Sequence, residues 1–324
     1  MCTAIALKTK DFYFGRNLDF GYSFNEGVII CPRNHVFPFR HLDSISIHQA
    51  MIGMGIVQDD FPLFFDAVNE SGVAIAGLNF PESYKSYAPI NGKKNVAQFE
   101  FIPYLLSKAT NLEDTRRILK DLSISKDDFS QDLTESKLHW MISDKTGSIV
   151  VESTSKGLMV YDNPVHVLTN EPEFPFQLFN LNNYRKISPK DPENTFVKET
   201  NLPIYCKGLG GIGLPGDMSS MSRFVKATFI RSNAISFEEE DESVNRFMHI
   251  LDSVFQVKGC IIYDGDEYEH TVYSSVMNTQ KGLYYYKTYT NSRINCINMH
   301  KTDLDKKELS FYQLRQKEDV FLQN

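Results

Sequence analysis

The chain opens Met1-Cys2-Thr3, and from Thr3 on it alternates as a strand that must find a partner before the rest can settle. Thr3-Ala4-Ile5-Ala6-Leu7 reads as that strand, Lys8-Thr9-Lys10-Asp11 as a polar turn, and Phe12-Tyr13-Phe14-Gly15-Arg16 as the strand returning beside it. A hairpin centred near Thr9 and Lys10 sets Cys2 opposite Arg16 or Asn17, within a residue of register. The amino terminus is therefore expected inside a sheet. If Met1 is removed, Cys2 carries a thiol and a free α-amine on one residue. A thiol titrates near about 8.5 and an α-amine near about 7.7–8.0, so the amine can take the thiol proton near neutral pH with no histidine. Arg16 stays charged and favours thiolate, and Asp19 is a carboxylate able to hold the amine. Taken alone, Arg16 and Asp19 read first as a surface ion pair worth about 0–1 kcal/mol; their joint register with Cys2 favours chemistry.

Other segments alternate with period two: Val73 to Leu78, His139 to Ile142, Ile149 to Glu152, Leu158 to Tyr161, Val165 to Leu168 and Leu283 to Tyr289, with Asp144-Lys145-Thr146-Gly147 as a hairpin turn. Helical periodicity runs from Phe99 to Lys108, from Leu112 to Leu122, and after Ser236. There Ser236-Phe237-Glu238-Glu239 has capping-box form, the acidic run Glu238 to Glu242 suits a first helical turn, and Val244, Phe247, Met248, Leu251, Val254 and Phe255 share a face. Strands in runs and helices in blocks predict an α+β fold, an αββα sandwich of two packed, mainly antiparallel sheets covered by helices. No linker interrupts the chain, so residues 1–324 are expected to form a single domain.

Hydrophobic residues make up 42% and charged ones 23%, enough for a sizeable core, and the net charge of -7 disfavours nucleic acid and anionic membrane as partners. No apolar run approaches a membrane span, and no signal peptide is expected, since the first apolar residues alternate and are followed by charges. The five cysteines, at 2, 31, 206, 260 and 296, are odd in number and lack C-x-x-C spacing, which argues against a disulfide framework and a zinc site. Neither metal nor cofactor is expected. A reducing cytoplasm is, since a free terminal thiolate survives there. Gly208-Leu209-Gly210-Gly211-Ile212-Gly213 lacks the Gly-Lys-Ser/Thr ending of a phosphate loop and reads as tight turns letting backbone approach Arg223.

Four separated motifs fall in one order: Met1-Cys2-Thr3 with Gly15-Arg16-Asn17-Leu18-Asp19, then Ala76-Gly77-Leu78-Asn79-Phe80-Pro81, then Val167-Leu168-Thr169-Asn170, then Gly213-Leu214-Pro215-Gly216-Asp217 through Ser222-Arg223-Phe224. In this the sequence resembles the choloylglycine hydrolases, which comprise bile salt hydrolases and penicillin V acylases among the N-terminal-nucleophile hydrolases. The resemblance runs over nearly the whole chain. It implies the N-terminal-nucleophile hydrolase fold, a nucleophile at Cys2, Arg16 and Arg223 as cations beside the sulfur, Asp19 on the α-amine, and an oxyanion hole from the Asn79 backbone N–H and the Asn170 side chain. On residue type alone, each asparagine reads as a turn residue and Arg223 as a surface residue. It also implies a homotetramer. His139, beside the only tryptophan, is expected in the core or behind the site rather than as a base.

The pocket walls decide the substrate. Phe20, Tyr22 and Phe24 follow Asp19, and Phe61, Phe64 and Phe65 form a second aromatic segment in which 64 and 65 should not both face a pocket from one strand. Phe129 and Leu133 interrupt an otherwise polar loop. We take Phe20, Phe61, Phe129 and Leu133 as candidate substrate-binding residues. The resemblance implies hydrolysis of the amide of glycine- or taurine-conjugated bile salts, closer to that branch than to the penicillin branch because the latter tends to carry tyrosine where Asn79 stands. A binding protein for amphipathic acids that kept the fold without catalysis is the alternative of another kind.

Overall fold

The amino-terminal hairpin forms, with strands Cys2–Lys8 and Phe12–Phe20 paired antiparallel. Cys2 lies opposite Leu18 and Ala4 opposite Arg16, one residue beyond the expected register, because Lys8 pairs with Phe12 and leaves three residues in the turn where two were expected. Arg16 consequently shares a face with Cys2, one diagonal step away. The computed structural model describes residues 1–236 and 238–324; Phe237, within the stretch of capping-box form, lies outside the described residues.

The hairpin sits in a six-stranded sheet ordered Val167–Leu168, Cys2–Lys8, Phe12–Phe20, His270–Asn278, Leu283–Thr288 and Asn291–Asn298. An eight-stranded sheet runs Gly157–Asp162, Gly147–Thr154, Leu138–Asp144, Ala74–Asn79, Phe61–Asn69, Met51–Gln58, Gly27–Cys31 and Ser310–Gln313. All neighbours in both are antiparallel. Period-two alternation sends the two faces of the larger sheet into different cores. Ile52, Met54, Val68, Ala74, Ala76 and Met141 join the residues of the smaller sheet, whereas Met51, Ala67, Ile75, Ile142 and Val151 pack under helix α1 (Phe101–Lys108) and Leu112 and Leu119 of helix α2 (Leu112–Leu119). On the other side, Phe224 of helix α4 (Ser220–Asn233) and Phe247, Met248 and Leu251 of helix α5 (Glu240–Asp252) cover the smaller sheet. The result is the αββα sandwich, each fully buried large apolar side chain contributing about 1.5–3 kcal/mol. A short helix α3 (Phe174–Asn180) follows the edge strand Val167–Leu168.

Three local expectations are corrected. Helix α5 starts at Glu240 rather than after Ser236, with Glu239 as a cap that makes no side-chain bond; Glu240, Asp241 and Glu242 supply the negative first turn. Helix α2 stops at Leu119, and Leu122–Ser125, which alternates with period two, becomes a strand parallel to Lys94–Ala97. The close backbone approach in the glycine-rich stretch is to residues 188–190, where Ser188 N donates to Gly210 O at 3.0 Å and a Cβ on Gly210 would meet Lys190 O at 2.0 Å.

His166 turns the chain into the edge strand with φ 53° and has Nδ1 2.9 Å from Ser148 Oγ. Burial, with Arg231 nearby, lowers its imidazole to about 4. Below its ordinary value of 6.5 the unfolded chain takes a proton that the folded chain refuses, so stability is full above pH 6.5 and is lost as pH falls towards 4. Asparagine tolerates positive φ. The His166→Asn variant should therefore lose less stability between pH 7.5 and pH 5 than the parent does, as read from urea midpoints; equal losses would contradict this account.

Candidate active site

Cys2 is 5% exposed, and its sulfur lies in the space between the sheets, where Arg16 Nη2 donates to Sγ at 2.6 Å. The guanidinium is fully buried and must spend its other donors on the protein. Nη1 donates to the carbonyls of Gly77 at 2.5 Å and Phe65 at 3.2 Å, both in the larger sheet, and Nε to Asn17 O at 3.4 Å. Burial works against this cation, but Cys2, Tyr273, Asp66 and Asp19 around it more than offset that, and its affinity for its proton rises above the ordinary range.

The Phe65 carbonyl is available because the strand bulges. Met54 pairs with Asp66 but Gly55 with Phe64, so Phe65 is an extra residue with no partner opposite. The bulge turns Phe65 and Asp66 towards the smaller sheet together. Asp66 is fully buried there, accepting from Tyr273 Oη at 2.7 Å and Tyr284 Oη at 2.6 Å, a carboxylate behind Arg16. Burial raises its pKa, while Arg16 and the two tyrosines pull the other way.

The main chain of Cys2 is held from another side. Its N–H donates to Asn170 Oδ1 at 2.8 Å, and Arg223 Nη2 donates to the same oxygen at 2.8 Å. Two obligate donors on one atom fix the orientation of the Asn170 amide, so its Nδ2 faces Asn79, whose carbonyl it meets at 2.8 Å. Arg223 also donates to Cys2 O at 2.5 Å and Thr3 Oγ1 at 2.7 Å. Its hydrogen bonds go to the backbone of Cys2, to Thr3 and to Asn170, and it acts on the Cys2 sulfur by charge without a hydrogen bond to it. Burial lowers its pKa. Asp19 is fully buried, accepts from Thr271 Oγ1 at 2.6 Å, and has its pKa raised by burial. With Met1 in place the chain's amine donates to Asp19 O at 2.8 Å and pairs with Glu269, and Asp19 Oδ2 is buried without a hydrogen-bond partner among the described residues.

Asn79 ends its strand and is exposed. Phe80 N donates to Lys137 O at 2.8 Å, so Asn79 and Leu138 form the intervening pair of the ladder, in which the N–H groups point away from each other. The Asn79 N–H therefore faces the side where pairing with Phe61–Asn69 has already ended, at Asp66 opposite Ala76. Six residues separated by up to 221 positions thus meet around one sulfur and one backbone amide.

An apolar cavity of about 130 Å³ adjoins this centre through Phe65 and Leu138; Phe24, Phe64, Phe99, Phe129 and Leu133 are among its other apolar walls, with Gln98, Thr134 and Ser136 as polar groups. Phe129 and Leu133 line it as expected. Phe61 does not: it is 4% exposed, in the core under α1, edge-on to Phe99 at 5.9 Å. Phe20 stands behind the wall, against Phe24 at 4.9 Å. Phe64 and Phe65 both line the cavity, against the alternation rule, because the bulge intervenes. Hydropathy gives no sign of a bulge, and Asp66, Tyr273 and Tyr284 carry no motif. A larger cavity, about 720 Å³, lies elsewhere, between Leu119–Ile124 and the edge strand Gly157–Asp162, and includes none of these residues.

Phe129 has a second role: its ring meets Phe99 at 5.1 Å and Phe61 at 6.1 Å, and its carbonyl accepts from Arg40 at 2.8 Å. Alanine at both loop positions should therefore cost stability as well as turnover. Leu133→Ala should lower kcat/KM for a conjugated bile salt by about tenfold, from about 1.5 kcal/mol of lost contact, with Tm unchanged. Phe129→Ala should lower both kcat/KM and Tm, the latter by several degrees. Steady-state kinetics and calorimetry on the two single variants check the split.

The profile of the family described as linear amide C-N hydrolases, choloylglycine hydrolase family, matches residues 2–312. A bile salt hydrolase/transferase from Lactiplantibacillus plantarum is 46% identical over all of both chains. The crystal structure of a conjugated bile acid hydrolase from Clostridium perfringens superposes with a TM-score of 0.93 at 36% identity over all of both chains. The penicillin V acylase of Agrobacterium tumefaciens, 18% identical, has a TM-score of 0.75 over 99% of this chain and 100% of its own, a likeness of fold.

Proposed function

Since the chain belongs to the choloylglycine hydrolase family of linear amide C-N hydrolases, we propose that it cleaves the amide of glycine- or taurine-conjugated bile salts with Cys2 as nucleophile. The observation that carries this reading is the 2.6 Å contact of Arg16 with the Cys2 sulfur, together with an apolar cavity walled by Phe65, whose carbonyl accepts from the same Arg16. Removal of Met1 turns the Cys2 amide into an amine with donors to spare beyond the bond to Asn170, and the buried Asp19 Oδ2 is an acceptor awaiting one. The thiolate attacks the carbonyl carbon, and the negative charge passes to its oxygen, received by the Asn79 N–H and Asn170 Nδ2. The α-amine carries the thiol proton to the departing nitrogen, so glycine or taurine leaves as the amine and a thioester remains. Water then attacks the thioester, releases the bile acid and restores the thiol. One oxyanion donor is worth about 10²–10³ in kcat. Arg223 and Asp19 hold the Cys2 backbone and amine in place.

The cavity, at about 130 Å³, is smaller than a sterol skeleton, and residues 126–137, which form neither helix nor strand, must give way for one to enter. That size favours a second reading, in which a compact aryl acyl group such as that of penicillin V is accepted. Purified chain, shown by intact mass to lack Met1, should release glycine or taurine from conjugated bile salts faster than it hydrolyses penicillin V. The Cys2→Ser variant should keep its Tm and lose at least a thousandfold in rate, because Arg16 cannot ionise a hydroxyl at neutral pH. Activity within tenfold of the parent would overturn the mechanism, and faster cleavage of penicillin V would select the second reading.

Self-association as a homotetramer fits the exposed apolar side chains of the irregular arm that includes residues 185–208, with Phe196 91% and Tyr205 81% exposed. Exchanging both for aspartate should yield a smaller species in sedimentation equilibrium with the unfolding midpoint kept; an unchanged mass would place the interface elsewhere. No helix among the described residues is long and apolar enough to cross a membrane. Three cysteines, at 206, 260 and 296, are exposed thiols, which supports a reducing cytoplasm.

A further inference from the structure

His139 is fully buried on the strand Leu138–Asp144 of the larger sheet, two residues from any exposed chain, and takes no part in the chemistry above. Its ring lies flat on Phe80, with centroids 4.2 Å apart and planes 6° apart, and Phe80 follows Asn79 directly. Its Nε2 donates to Thr169 O at 2.8 Å, and Thr169 directly precedes Asn170, beyond the edge strand of the smaller sheet. Its Nδ1 is 3.1 Å from Glu152 Oε1, which also accepts from Phe174 N at 3.0 Å. A carbonyl oxygen only accepts, so Nε2 carries a hydrogen.

One side chain therefore touches the neighbours of both proposed oxyanion donors, one from each sheet. We propose that His139 is a positioning residue that sets the distance between the Asn79 N–H and the Asn170 amide, through the stack on Phe80 and the bond to Thr169. The inference rests on the reading of those two groups as the oxyanion hole. Sheets packed face to face are free to slide by fractions of an ångström, and a donor misplaced by about 1 Å can cost 10² in rate. Gln177 and Ser220 hold Thr169 through its hydroxyl, but neither reaches the Asn79 side.

The test uses the full-length processed enzyme and whichever amide the parent cleaves fastest, so that the choice of substrate does not enter. His139→Phe keeps a ring on Phe80 and loses the bond; His139→Gln keeps a donor and loses the stack. Each should lower kcat by tenfold or more with KM within threefold and the rate of Cys2 alkylation by iodoacetamide within twofold, since the nucleophile is untouched. If His139→Phe does not fold, His139→Gln carries the comparison. In an Asn170→Ala background the same change should cost less than threefold, because the donor it positions is gone. Unchanged kcat in a folded variant, a parallel fall in alkylation rate, or an undiminished cost in the Asn170→Ala background would each overturn the proposal. Full activity of Asn170→Ala alone would instead sink the oxyanion reading on which it stands.

Discussion

A fully buried guanidinium organises this molecule. Arg16 is buried between two sheets, and an unpaired charge there would cost several kcal/mol, so each part of it must meet a partner of suitable kind. The sulfur of Cys2 takes one donor, two carbonyls of the opposite sheet take others, and Asp66 balances the charge from behind. These demands reach far along the chain. The carbonyl of Phe65 points inward only because its strand bulges, and the buried Asp66 is held against its desolvation by Arg16 and by two tyrosines of the other sheet that donate to it. The sandwich and the nucleophile are in this sense one solution to the hydration of a single cation.

How much of this could be read from the residues depends on the range of the interaction. The hairpin was legible, because alternation and a polar turn are local, and its register erred by the one residue by which a three-residue turn differs from a two-residue one. The layers were legible too, since strands grouped in runs leave few ways to cover both sheets. Cys2, Arg16 and Asp19 are close in sequence and could be placed by register. Asn79, Asn170 and Arg223 could not be placed that way; their motifs brought them in through resemblance, and the contact of Arg223 with the backbone rather than the sulfur emerged only in three dimensions. Phe61 and Phe129 show the same limit in the pocket. Both are aromatic and lie near each other, yet one faces the core and the other the cavity, a difference fixed by packing against Phe99.

Each sheet contributes half of what surrounds the sulfur. The smaller one brings Cys2, Arg16 and, just past its edge strand, Asn170; the larger brings Asn79 and the carbonyls of Gly77 and Phe65. Neither half is complete by itself, so chemistry requires that the two faces be docked in one relative position. Buried polar links across the interface, from Arg16, Asn170 and His139, do what apolar packing cannot, because they have direction as well as strength.

The unpaired residue at Phe65 shifts the reading frame of its strand. Upstream of it, Phe61 and Phe64 face the helical layer; at and after it, Phe65 and Asp66 face the sulfur side together. Deleting a single residue there would restore regular pairing, and with it remove an acceptor for Arg16 and a wall of the acyl cavity in the same step. The wall of the cavity and an acceptor for the cation at the sulfur are inherited jointly along this strand. Divergence towards other acyl groups has a freer path through residues 126–137, where side chains can change size without touching the cation beneath.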